Sequence, residues 1–350
     1  MAKVVGVFNT SHSPFCYMSP ERWNEVRANR SLREDVPLDD LEENLRKKQR
    51  IENGFATLRR NLASVRPDVI VIFGDDQLEC FDFNNFPSFA VYVGEEFQGH
   101  LSQRDANLFA RGGNSQPHGD DALQGRGGVA APARPVPQMA TMKGHPGLGV
   151  GLLTGLMKRG FDPAFCMDMP KPERGLGHAF MRPSESITDM QTPTVPVLLN
   201  CYYAPQPTAK RCYELGKAVR EAIEEYPEDL RVAVVGSGGL WHTPGAKQAW
   251  LNEDFDREIL SYLEAGDARG MADFFDSYEI PQGDASQFIA ERGRGVTGMP
   301  GFGGPQGGTR EICAWVSSAA VAEGSRSTVV DYVPVYASPI GVAFSYCVDL

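Results

Sequence analysis

Short runs of apolar, mostly β-branched residues recur along the chain at 4–8, 69–73, 89–93, 195–199, 232–235, 329–335 and 341–348. Each is too short for a helix and too continuous for a strand with one wet face. They therefore predict strands covered on both sides. Helical periodicity fills the intervals. Leu41, Leu45, Ile51, Phe55, Leu58 and Leu62 fall near one face of a predicted helix over 39–65, with Asp39 or Asp40 as N-cap. A second helix starts behind Thr208 and turns Cys212, Leu215, Val219 and Ile223 inward; a third begins near Asp254 and does the same with Phe255, Ile259, Leu260 and Leu263. "GGTREICAWVSSAAV" reads as a further helix start, with Thr309 as cap candidate, Glu311 in the first turn, and Ile312, Trp315 and Val316 inward. Helices alternating with covered strands predict an α/β layer structure without internal repeats.

Two stretches break this pattern. Residues 98–147 are rich in Gly, Gln, Pro and Arg and read as an irregular surface insertion. Residues 293–308, "GRGVTGMPGFGGPQGG", lack the Gly-Lys-Ser/Thr ending of a phosphate loop and read as a flexible connection or a loop beside a site.

Composition narrows the function classes. The 350 residues are 42% hydrophobic and 23% charged, ordinary for a folded enzyme. A net charge of −11 disfavours nonspecific nucleic-acid or anionic-membrane binding, which needs basic surface. No apolar run reaches the roughly 18 residues of a membrane span, and the start "MAKVVGVFNTSHSPF" has no signal-peptide pattern. Seven scattered cysteines, none in a Cys-x-x-Cys pair, indicate neither a zinc knuckle nor a disulfide framework. A reducing cytoplasm is the expected setting.

The chemistry gathers where strands end. "VIVIFGDDQLECF" runs a buried strand into Asp75, Asp76, Gln77 and Glu79, with Gly74 expected to permit a sharp exit. Of six histidines, His12 follows the first strand in "NTSHSPF" and His242 follows the 232–235 strand in "GSGGLWH". His178 lies in "GLGHAF", while His100, His118 and His145 lie in or beside the irregular stretch. Ligands of α/β proteins bind beyond the carboxyl ends of strands, so the set carries more weight than any single histidine. Glu311 on its own reads as compensation of a helix dipole, worth about 0.3–1 kcal/mol, or as a carboxylate ligand.

"SHSP", a strand entering an Asp-rich turn, "GHAF", "GSGGLWH" and "GGTREICAW" follow one another in the order of a known family. The chain resembles the class III extradiol ring-cleavage dioxygenases of the protocatechuate 4,5-dioxygenase catalytic-subunit type, over most of its length and least across 98–147. The resemblance implies a single α/β domain over 1–350, with a mixed central sheet covered by helices and the site at strand ends. It implies iron(II) held by two histidines and one glutamate, with a small catecholic aromatic acid and O2 as substrates. The metabolic role would be aromatic compound catabolism. It further implies a homo-oligomer, in part of the family with a small second subunit, and no nucleic-acid or membrane partner.

Matched by motif, His12 corresponds to one ligand and Glu311 to the carboxylate ligand. His242 matches the acid/base and His178 a histidine lining the substrate pocket. Where the family closes an Asn-Asp-His turn with its second histidine ligand, this chain has Asp75-Asp76-Gln77. Gln77 then ligates through its amide oxygen, or Glu79 substitutes from the same strand face, or the metal is lost and the protein is a binding or partner subunit. A non-redox metallohydrolase is a further alternative. Two imidazoles and a carboxylate on one face leave open positions on iron(II), and a histidine beside them suits proton transfer. Trp241 is expected beside the His242 ring. Arg182 reads as a partner for a substrate carboxylate or as a surface arginine.

Overall fold

The computed structural model describes residues 1–102, 139–243, 248–279, 303–348 and 350. Its strands are β1 (Lys3–Thr10), β2 (Val69–Asp75), β3 (Phe89–Tyr92), β4 (Glu96–His100), β5 (Met139–Lys143), β6 (Ala164–Cys166), β7 (Thr194–Leu199), β8 (Arg231–Ser237), β9 (Thr328–Val335) and β10 (Ile340–Cys347). Every apolar run read from the sequence is one of these. The runs at 4–8, 69–73 and 232–235 extend further at their carboxyl ends, toward the polar residues that form the site. The unexpected strands are β4, β5 and the short edge strand β6.

Eight strands make one mixed sheet in the order β6-β3-β7-β2-β8-β1-β10-β9, and β4 pairs separately with β5. β7, β2, β8 and β1 run parallel, while β10 and β9 are antiparallel additions at one side and β3 pairs antiparallel with β7 at the other. Thr10 sits opposite Ser237, and Phe73 opposite Gly236. The carboxyl ends of β1, β2 and β8 therefore emerge side by side.

The helices are α1 (Trp23–Arg27), α2 (Leu41–Ser64), α3 (Pro146–Lys158), α4 (His178–Ile187), α5 (Ala209–Glu224), α6 (Glu253–Ala265), α7 (Ala268–Ser277) and α8 (Ile312–Val321). Helices α3, α5, α6, α7 and α8 contribute to a core with Val71, Phe73, Val195, Val197, Val232 and Val234. On the opposite face, α2 and α4 share a core with Phe8, Ile70, Ile72, Ala233, Val235 and Phe344. Two-sided cover is why β2 is buried at every position and lacks an apolar-polar alternation. Among the described residues no helix is long and apolar enough to cross a membrane.

Helix starts are mostly where expected. Asp40 caps α2 by accepting from the Glu43 amide at 2.8 Å, and Thr208 caps α5 by accepting from the Arg211 amide at 3.1 Å. Asn252, two residues before Asp254, caps α6. Two expectations need correction. Leu41 and Leu45 are 47% and 46% exposed, because the buried stripe of α2 enters through Asn44 and Lys47. Leu45 stands about 100° round the helix from Asn44 and so points off that stripe, while Lys47 is neutralised by Asp39 at 2.5 Å. Thr309 is not a helix cap either. Gly307–Glu311 forms a 3-10 turn ahead of α8, and the Thr309 hydroxyl bonds to the backbone of His242 instead.

Most of the 98–147 insertion and of the 293–308 loop lies outside the described residues, as does His118. Within the described parts, β4 and β5 pair in antiparallel register, and His145 caps α3 through its Nδ1, which accepts from the Leu148 amide at 3.0 Å.

Candidate functional site

His12 follows β1 and is buried. Its Nδ1 lies 2.9 Å from Ser237 Oγ at the end of β8. Its backbone carbonyl accepts from Arg182 Nη1 at 2.7 Å. The ring is thus fixed from two sides, leaving Nε2 to face Glu311 Oε2 at 3.0 Å and Asp75 Oδ1 at 3.8 Å. Arg182, at 4% exposure, is not a surface arginine; its Nη1 holds the His12 loop.

Glu311 is the hub. Its Oε1 accepts from Gln77 Nε2 at 3.0 Å and lies 3.3 Å from His242 Nε2. Its Oε2 accepts from the Gly239 amide at 3.2 Å as well as facing His12. The neighbouring Arg310 is fully buried and donates to the carbonyls of Gly303 and Pro207, which anchors the 3-10 turn carrying Glu311. Arg310 carried no role in the sequence reading; the only signal was a charged pair at the start of an otherwise apolar helix.

His242 donates through Nδ1 to the Leu240 carbonyl at 2.9 Å, so Nε2 is the atom presented to Glu311. Its ring is clasped by two glycines. A Cβ on Gly239 would sit 2.8 Å from the ring, and one on Gly308 only 2.2 Å from Nε2. Trp241 is not beside this ring in the pocket. It is buried against Trp250, Phe255 and Tyr278 in the α6 and α7 layer, with its indole N–H on the Trp250 carbonyl.

The Asp-rich turn divides its labour. β2 ends at Asp75, and Gly74 is still within the strand rather than at the exit. Its missing Cβ would stand 3.0 Å from Ala179 Cβ and 3.1 Å from the Phe180 ring, so it admits α4 close to the sheet. The sharp backbone comes later, at Leu78, with a positive φ of 66°. Asp76 accepts from the amides of Cys80 at 2.7 Å and Phe81 at 3.1 Å, bracing that turn. Because the strand stops, its alternation does not extend to Glu79. That carboxylate instead receives both the backbone amide (3.0 Å) and Nδ1 (2.7 Å) of His178, which opens α4. The His178 ring meets His12 edge-on, with centroids 4.8 Å apart.

Electrostatics separate these groups. Burial pushes the His12 pKa down to about 4 against the pull of Glu311, so its imidazole is neutral near pH 7. Burial also disfavours charge on His178, but Glu79 outweighs it and raises the pKa to about 9. Burial would raise Glu79, yet the His178 charge and hydrogen bonds hold it down to about 2. His242, desolvated but facing Glu311, is displaced upward. Glu311 resists desolvation through His242 and His12 and stays well below the usual carboxylate range.

A cation fits this donor set. With Nδ1–H directed to Ser237, the His12 Nε2 lone pair faces carboxylate lone pairs of Glu311 and Asp75 in a buried space. Such convergence is stable when a proton or metal lies between the groups. His12, Asp75 and His178 each offer a ligand atom within 4.8 Å of the others.

Comparison with known proteins agrees in kind. Residues 130–286 match the family described as the catalytic LigB subunit of aromatic ring-opening dioxygenase. The chain carries a LigB-family region. That span contains His178 and His242; His12, Gln77 and Glu311 lie outside it. Gallate dioxygenase of Pseudomonas putida is 38% identical over 125 residues, 34% of this chain and 35% of that protein. A 2,3-dihydroxyphenylpropionate/2,3-dihydroxicinnamic acid 1,2-dioxygenase of Photorhabdus laumondii is 28% identical over 196 residues, 55% of this chain and 49% of that protein. Its Escherichia coli counterpart is 28% identical over 197 residues, 54% and 48%. The chain thus spans half or less of the length of these curated relatives. Its mixed sheet, its cover of helices and its polar strand ends are those implied by the motif order.

Proposed function

We propose that this protein is a non-haem iron(II)-dependent extradiol dioxygenase that opens the ring of a small catecholic aromatic acid with O2. The observation that carries the reading is the buried Glu311 carboxylate, 3.0 Å from His12 Nε2 and 3.3 Å from His242 Nε2 beyond the ends of β1 and β8. His12 and Glu311 would hold the metal, with a third donor from the end of β2 or the turn after it, where Asp75 and Gln77 are the candidates. Bound iron(II) would supply a place for catecholate and O2 to meet and a path for electrons between them.

The remaining work falls to side chains. His242 keeps Nδ1–H on a carbonyl and its Nε2 toward Glu311, so its exchangeable proton is held at Nε2. An upward-shifted imidazole there takes a proton from the substrate hydroxyl and returns one to the developing product. His178, kept cationic by Glu79, sets a positive charge against the pocket and favours an anionic substrate. Burial of His12, Asp75 and Glu311 excludes water from the reacting centre. All seven cysteines are free thiols, which fits a cytoplasmic enzyme. A homo-oligomer belongs to the same reading and is tested by sedimentation.

One observation favours a metal-altered relative acting as a binding or partner subunit: Gln77 donates its amide N–H to Glu311 Oε1 and so uses an oxygen the metal would want. The deciding experiment is metal analysis of protein purified without oxygen, followed by O2 uptake with a panel of catecholic acids. Iron with substrate-dependent O2 uptake supports the dioxygenase. Zinc with hydrolytic activity, or no metal at all, overturns it.

A further inference from the structure

Asp75 is the last residue of β2 and is wholly buried. Neither of its carboxylate oxygens accepts a hydrogen bond of good geometry among the described residues, although Gln77 lies near enough to interact with the carboxylate. A dry, unsatisfied acid is costly unless something takes its lone pairs. Its neighbours have taken other work: Asp76 spends both oxygens on the Cys80 and Phe81 amides. Glu311 accepts from Gln77 and from Gly239. Asp75 instead directs Oδ1 at His12 Nε2, 3.8 Å away.

That separation suits two donors sharing one ion. Metal bonds of about 2.0–2.2 Å place neighbouring donor atoms roughly 3–4 Å apart. Gln77 is a poor competitor for the position. Its amide nitrogen is on Glu311 at 3.0 Å, which makes it a brace for that carboxylate. We propose that Asp75 supplies the carboxylate ligand taking the place of the family's second histidine, beside His12 and Glu311. The centre then has one imidazole and two carboxylates, flanked by His178, whose Nδ1 is held by Glu79. Exchanging a neutral imidazole for an anion makes the site harder and one charge more negative, favouring Mn(II) and Fe(II) over softer ions.

The inference rests on the metalloenzyme reading above, and its test separates the two. The full chain, stripped of metal, is titrated calorimetrically with Mn(II), and with Fe(II) under anaerobic conditions, in the absence of substrate. Asp75→Asn should lose about 100-fold or more in affinity, since even residues that only orient ligands cost 10–100-fold. Its metal-free thermal midpoint should hold or rise, because an uncompensated buried acid is gone. Gln77→Ala should lose about 10–100-fold at most, and clearly less than Asp75→Asn, as a brace would. Wild-type affinity in folded Asp75→Asn overturns the assignment. So does a loss in Gln77→Ala as large as that in Asp75→Asn. Asp75→Ser serves the same comparison if the Asn variant fails to fold. A wild-type protein that binds neither ion sinks the metalloenzyme reading together with this one; binding that survives the loss of Asp75 sinks this one alone.

Discussion

Two histidine rings stand with centroids 4.8 Å apart in this pocket, and their pKa values are driven in opposite directions. His12 is desolvated and its pKa falls to about 4, with Ser237 on one nitrogen and carboxylates near the other. His178 is desolvated too, yet Glu79 holds its pKa at about 9. The difference lies in how each carboxylate is occupied. Glu79 makes its closest contacts to His178, through both ring and backbone, whereas Glu311 divides its charge among His12, His242, Gln77 and Gly239. A shared anion leaves His12 neutral; a dedicated one favours the cationic form of His178. In the proposed reading one residue type thus supplies a metal donor and a charge within a single cavity.

The harshest way to break the comparison is His12→Ala. It should abolish both bound metal and turnover while circular dichroism stays native; full iron occupancy by metal analysis would remove His12 from the ligand set. His242→Ala sharpens it, because this histidine faces Glu311 and in the proposed reading moves protons rather than binding the metal. Iron content should persist while kcat falls about 10²–10⁴-fold, and an unchanged rate would move proton transfer to His178.

A subtler displacement is Gly308→Ala, whose new Cβ would sit 2.2 Å from His242 Nε2. Pushing the ring aside should lower kcat by up to about 10²-fold with metal content intact. Equal rates in steady-state assays would mean the ring need not hold this position.

The smallest effect concerns stability. Glu79→Gln removes the anion from His178 and should cost the metal-free protein about 1–3 kcal/mol in urea denaturation near neutral pH. The His178 contribution is complete below its ordinary 6.5 and is lost as pH rises through about 9. The Glu79 contribution is present above its ordinary 4.5 and is lost as pH falls through about 2. The gap between wild type and variant should therefore be widest between those ordinary values and close above about pH 10. A gap that does not depend on pH would show that packing, not charge, links the two residues.

The chain's own pattern determined seven of the ten described strands and four of the eight described helices, because two-sided burial writes continuous apolar runs and helical packing writes a 3.6-residue period. It also brought His12, His242 and Glu311 under suspicion, since strand and helix ends are where an α/β sheet exposes side chains. What local pattern could not decide was which acid faces which histidine. Glu79 and Asp75 are four residues apart, yet one leaves with the turn to His178 and the other remains in β2 pointing at His12. The burial of Arg182 and Arg310 was not legible in the pattern, because a buried guanidinium shows only once carbonyls that accept from it, on His12, Gly303 and Pro207, have been brought to it by the fold. Periodicity reports how each segment meets the core; partner choice among polar groups depends on contacts between residues far apart in the chain, as between Gln77 and Glu311, 234 positions apart, and only the assembled sheet sets those.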